Sequence, residues 1–207
     1  MLEELLIRTL ADTLPGKPAD GLFLFGQTTD NQDSVFYTAK LLLQQGLVQK
    51  IMFMHTAAMS GYPGFEQWQQ ESTRVRNPAE NLDAAPAPDG TEKLHTLLEA
   101  ESMSRHARSK GYTHVVVSAS PFQQPRAFMA AVTAAHRHHP QLYLYSCAGK
   151  ALPWCHEATH SQGKVEDTRA GLIAGEMERI RKYHAEGDLN SVGEVLHYLN
   201  KRDIGLL

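Results

Sequence analysis

The stretch SASPFQQPRAF places Ser118 and Ser120, then the amides Gln123 and Gln124, then Arg126, around Pro125, a residue suited to the first turn of a helix. Backbone N–H groups at a helix start, hydroxyls and a fixed guanidinium together suit phosphate or carboxylate. Ser118, Ser120, Gln123 and Arg126 are therefore candidate ligand-binding residues, against the plainer reading of a strand-to-helix turn whose arginine makes a surface pair. In HTLLEA, Thr96 and Glu99 are three apart and share a helix face, so a hydroxyl and a carboxylate can meet one ligand. Glu99 is the candidate catalytic group, as a base or as the partner of a ribose hydroxyl. The same spacing also describes a capping box with Thr96 as N-cap, worth about 1 kcal/mol to the helix start. Two further polar loops follow apolar runs: Gly26, Gln27, Thr28, Asp30 and Asn31 in one, His55 in the other.

A literal HExxH stands at His156-Glu157-Ala158-Thr159-His160. On a helix this spacing puts two imidazoles on one turn around zinc, with the glutamate as base. Pro153 and Gly163 leave barely two turns for such a helix, and a third ligand would have to come from Glu176 or Glu178. Metal-dependent hydrolysis through His156 and His160 is thus an alternative function, and no metal ligand is assigned on the leading reading. His136, His138 and His139 fit a solvated helix end better than a metal site. Cys147 and Cys155 lack a CxxC spacing and read as inert thiols. Neither GxGxxG nor GxxxxGK[ST] occurs, which disfavours a standard dinucleotide or P-loop site.

These residues need a scaffold, and the chain patterns for one. DGLFLFG, QKIMFMH, YTHVVVSAS and QLYLYSC are short apolar runs bounded by polar or turn residues, the mark of strands buried on both faces. Helical patterns alternate with them: SVFYTAKLLLQQG, a long one from Thr91 to Gly111, and PRAFMAAVTAAHRHH. A short helix at 65–70 and a strand at 82–85 interrupt the least periodic stretch, and an amphipathic helix opens the chain over 1–14. The pattern predicts an α/β fold, a Rossmann-like doubly wound, mostly parallel sheet of about five strands. Two successive helical patterns, 169–187 and 191–202, predict a C-terminal helical appendage, with Asn190 or Ser191 as a cap. The expected organisation is one domain over 1–207, with 1–150 as the sheet core with its N-terminal helix and 151–207 as the helical extension.

With 207 residues, 42% of them hydrophobic and 21% charged, the chain can build a core and is not disordered as a whole. Lys and Arg number 20 against 23 acids, for a net charge of −3 with neither sign in a long run, so a nucleic-acid or anionic-membrane partner is not expected. The first residues carry acids and do not read as a secretory signal, and no segment approaches the roughly 18 apolar residues of a membrane span. The cytoplasm is the expected compartment. The oligomeric state is left open.

The strand ending in Gly26, the helix ending AKLLLQQG, then HTLLEA, then VVVSASPFQQPRAF resemble in order and spacing the domain-of-unknown-function family of SanA, ElyC and YdcF proteins. The match spans roughly 20–145, and GEMERIRKYHAEGDL looks like the C-terminal helix of that family's soluble branch. The resemblance implies a Rossmann-like fold with a ligand cleft at the strand ends. It also implies nucleotide or S-adenosylmethionine binding in the cytosolic branch, which this chain resembles, and envelope or peptidoglycan roles in the membrane-anchored branch. Gly26 matches the first-strand glycine, Thr96 and Glu99 the T-x-x-E pair, and Arg126 the arginine. The family's histidine before that arginine is Gln123 here, and an arginine usual at the start of the first helix falls on Val35. Glutamine can hydrogen-bond but cannot act as a base near neutral pH. The leading expectation is a cytosolic protein that binds a small anionic, nucleotide-like or S-adenosylmethionine-like molecule, with enzymatic action on that molecule left open. A non-catalytic regulator that has kept binding and lost turnover is a further alternative.

Overall fold

Apolar runs too short for helices form the centre of the molecule because both of their faces can be covered. A computed structural model describes residues 1–160 and 165–207. It shows five parallel strands: β1 (Gly21–Leu24), β2 (Ile51–His55), β3 (Leu82–Pro86), β4 (His114–Ser118) and β5 (Tyr143–Ser146), in the order β3-β2-β1-β4-β5. Strand parity divides the core. Phe23, Met52, Val115 and Val117 face α4 (Thr96–Lys110) and α5 (Gln124–His138), whereas Leu22, Ile51, Phe53 and Val116 face α2 (Gln32–Gln44) and α3 (Phe65–Arg74). Every β1 residue is buried, which explains why this strand reads as continuously apolar rather than alternating.

α5 is buried along most of its length, and its alanines at 127, 130, 131, 134 and 135 let it lie close against α4 and the sheet. α1 (Leu2–Leu10) ends earlier than its sequence pattern, with Leu5 buried but Leu10 exposed. α4 begins at Thr96, five residues later than the pattern from Thr91 predicts. His95 stands in an extended conformation (φ −145°, ψ 156°), and its ring accepts the Leu98 N–H as the N-cap.

The C-terminal segment packs on the sheet, as its pattern predicts, and completes the core. α6 (Leu172–Ala185) and α7 (Val192–Asp203) contribute Ile180, Val195 and Leu199 to the same cluster as α4 and α5. Together with the segment after α1, α7 also closes the open edge of the sheet. Tyr198 Oη donates to the Leu142 carbonyl (2.6 Å) and accepts the Leu144 N–H (2.7 Å), Arg202 donates to the Leu144 carbonyl (2.9 Å), and Asp12 accepts the Ser146 N–H (2.9 Å). With its backbone groups satisfied by side chains, β5 offers little to a sixth strand. Ser191, one of the two expected caps, caps α7 in a reciprocal capping box with Glu194.

An antiparallel pair, β6 (Glu157–His160) and β7 (Val165–Thr168), precedes α6. The helical turn that HExxH chemistry requires is therefore absent. Four residues along a strand span roughly 13 Å, so His156 and His160 do not converge on one ion, and no metal-binding cluster occurs among the described residues. Gly163, the expected end of that helix, lies outside the described residues. No helix among them is long and apolar enough to cross a membrane.

Candidate functional site

In an open parallel sheet the loops after neighbouring strands diverge where the chain changes direction, and here that point lies between β1 and β4. A cavity of about 860 Å³ opens there. Gly26 and Gln27 follow β1, and Gln123 precedes α5. Thr96 and Glu99 come from the first turn of α4, and Arg126 from the first turn of α5. All six are buried or nearly so, and all six are candidates that the sequence singles out.

The floor is a linked set of amides. Gln27 Nε2 donates to Gln123 Oε1 (2.9 Å), and Ser120 Oγ donates to Gln27 Oε1 (2.6 Å). Gln123, standing where the resembled family has histidine, is thus held by a neighbour across the switch point. The Gly26 N–H donates to Glu99 Oε1 at 2.6 Å. A methyl at Gly26 would stand 2.9 Å from that oxygen, so only glycine permits the approach. Among the described residues Glu99 Oε2 makes no hydrogen bond. Burial pushes the Glu99 carboxyl up to about 7, against the pull of the Gly26 N–H and the Arg126 charge. The same burial, with Glu99 nearby, raises the Tyr62 phenol.

Arg126 is the hub of a second network. Its Nε and Nη2 donate to the two oxygens of Glu176 on α6 (2.6 and 3.2 Å), and its Nη1 donates to Thr96 Oγ1 (2.6 Å). Glu176 Oε1 also takes Arg179 Nη1 (2.9 Å) and contacts His160 Nε2 (2.6 Å). Burial alone would raise the Glu176 carboxyl, but the Arg126 charge and the His160 and Arg126 hydrogen bonds hold it well below the usual range. The capping-box reading of Thr96 and Glu99 fails, because His95 is the cap and both side chains turn toward the site.

The other candidates lie elsewhere. Thr28 reaches the cavity wall, but its hydroxyl donates to the Thr159 carbonyl (3.0 Å). Asp30 accepts the Thr159 N–H (2.6 Å), and Asn31 bonds the Thr159 carbonyl and Arg169 Nε (3.1 and 3.0 Å). These loop residues anchor the β6–β7 hairpin. His55 is exposed and lies with its ring 4.5 Å from that of Phe65. Ser118 Oγ is buried beneath the loop with no hydrogen-bond partner among the described residues. Of the N–H groups expected to hold an anion, those of Gln123 and Gln124 are engaged, both donating to the Ser120 carbonyl (2.8 and 2.9 Å).

Sequence reasoning missed the outer wall, where Lys93, Arg179, Lys182 and Tyr183 line the cavity. Three of these lie on α6, whose amphipathic pattern shows a packed helix without showing where it packs. No model of a known protein family matches the chain, and no curated protein is similar to it.

Proposed function

We propose that this protein binds a small polar molecule carrying an anionic group, nucleotide-like or S-adenosylmethionine-like, in the cavity at the β1/β4 switch point. Glu99 meets the ligand there and is the group through which a proton would move. One observation carries this reading: a buried carboxyl with one oxygen fixed by the Gly26 N–H and the other facing a cavity of about 860 Å³ without a partner among the described residues. Cavities of this size at this place in an α/β sheet suit ligands of nucleotide dimensions. A carboxyl near 7 can both accept and donate a proton at neutral pH. The resemblance to the SanA, ElyC and YdcF family supports the same reading, since the four matched residues Gly26, Thr96, Glu99 and Arg126 all border this cavity.

Gln123 cannot titrate, so the acid–base work that a histidine there could do passes to Glu99 in this reading. A ligand bound without turnover in a panel of candidate substrates would place the protein among non-catalytic regulators. Thermal-shift measurement with ADP, S-adenosylmethionine and ribose 5-phosphate tests the binding: a rise in Tm with concentration is expected for at least one. No shift with any of them at millimolar concentration overturns the proposal.

A further inference from the structure

We infer that the ligand enters the cavity with a hydroxyl-bearing end first and leaves its anionic group at the mouth, so the site selects phosphorylated or carboxylated polyhydroxy compounds. This orientation rests on the small-molecule reading above and specifies its chemistry. It reverses the glycine-loop arrangement, in which phosphate sits on the first βα turn.

Among the described residues the floor holds no uncountered cation for an anion. The Gly26 N–H is held by Glu99 Oε1 at 2.6 Å, and the Asn31 and Gln32 N–H groups at the start of α2 donate to the Thr28 carbonyl (3.0 and 2.9 Å). At the start of α5 the Gln123 and Gln124 N–H groups are engaged in the same way by the Ser120 carbonyl. Arg126 has all three of its nitrogens bonded, two to Glu176 and one to Thr96, so its charge is already countered. A phosphate pressed to the floor would instead meet the Glu99 carboxyl. Two side-chain atoms there have no partner among the described residues, Glu99 Oε2, which accepts hydrogen bonds, and Gln123 Nε2, which donates them, and a hydroxyl group can serve both.

The mouth differs. Lys93 and Lys182 are exposed on the cavity rim, and Arg179, half-buried beside them, has one nitrogen on Glu176. Lys93 makes no ion pair among the described residues, and Lys182 has a long contact with Glu186 (3.9 Å) and lies with its ammonium 5.5 Å from the centre of the Tyr183 ring. Two acids, Glu186 and Asp188, share the rim. Among the described residues, three cations against two acids leave one positive charge in excess, enough for one anionic group, with the acids free to accept further hydroxyls. Leu94, Leu97 and Leu189 form an apolar strip between the two ends.

Titration calorimetry with ADP, ribose 5-phosphate and inorganic phosphate tests this on the wild type, the Lys93→Ala/Lys182→Ala double variant and Glu99→Gln. The double variant alters only exposed side chains, so folding is preserved. It should weaken ADP or ribose 5-phosphate roughly tenfold or more, and Glu99→Gln should weaken the same ligand or leave it unchanged. Tighter binding of any of the three in Glu99→Gln, or binding that the double variant does not alter, overturns the orientation while leaving the cavity as a binding site. Failure of all three to bind the wild type overturns both.

Discussion

Glu176 and Glu99 are both buried carboxyls, 0% and 4% exposed, on the two helices that flank Arg126, yet the protein treats them in opposite ways. Glu176 is met by Arg126, Arg179 and His160, which replace the water it lost, so it stays charged and ties α5, α6 and β6 together. Glu99 is met by one backbone N–H, and its desolvation is only partly offset. A saturated buried charge is a joint, whereas a half-satisfied one beside a cavity is where a ligand can complete the set.

The largest expected effect comes from breaking the joint. Glu176→Gln leaves the Arg126 guanidinium buried without its countercharge and should cost about 3–5 kcal/mol in denaturant unfolding. A loss under about 1 kcal/mol would mean that the cluster does not hold the hairpin and α6 in place. Next is the pH dependence that separates the two acids. Glu99, with its folded pKa raised from 4.5 to about 7, binds more protons folded than unfolded across that interval. Its contribution is complete below pH 4.5 and is lost as pH rises through 7, to a limit of about 3 kcal/mol. Glu176, lowered in the fold, contributes above 4.5 and loses that contribution on further acidification. Glu99→Gln should therefore gain stability relative to the wild type between pH 5 and 8, and a difference that stays flat over that range would remove the raised Glu99 pKa.

The same contrast marks what the sequence could reveal. The strands were legible because LFLF and VVV can only be satisfied by cover on both faces. The strand order was not, since apolar runs do not say which neighbour they pair with. Gly26, Thr96, Glu99 and Arg126 were legible because they stand just past strand ends or at helix starts, where an open sheet gathers its loops. Glu176, Arg179 and Lys182 lie within α6, and their place depends on tertiary packing that no local pattern states. HExxH misled because its spacing fits a helix as readily as the four-residue strand Glu157–His160, and the charged partner strand Val165–Thr168 has no apolar alternation to correct it. The segment 91–95 misled α4 because Leu94 keeps helical spacing while His95 is extended.

Two smaller effects sharpen the contrast from the Glu99 side. Gly26→Ala brings a methyl 2.9 Å from Glu99 Oε1 and 3.3 Å from the side chains of Leu94 and Tyr62. It should cost about 2 kcal/mol by forcing these groups apart, and loss of the Gly26 N–H bond should raise the Glu99 pKa further, visible as a shift in the carboxyl titration by NMR. An unchanged titration would show that this bond does not set the state of Glu99.

Thr96→Val removes the acceptor for Arg126 Nη1 at the cavity wall, where water can partly replace it, so the expected loss is about 1 kcal/mol. A capping role would cost the same amount, and magnitude alone does not separate the two. A double-mutant cycle with Arg126→Met does. If Thr96 serves Arg126, its loss vanishes once the guanidinium is gone; if it caps α4, the loss persists in full, because a helix start does not depend on a side chain thirty residues away. Persistence would return Thr96 to the architecture of α4 and leave Glu99 as the one residue of that turn engaged with the cavity.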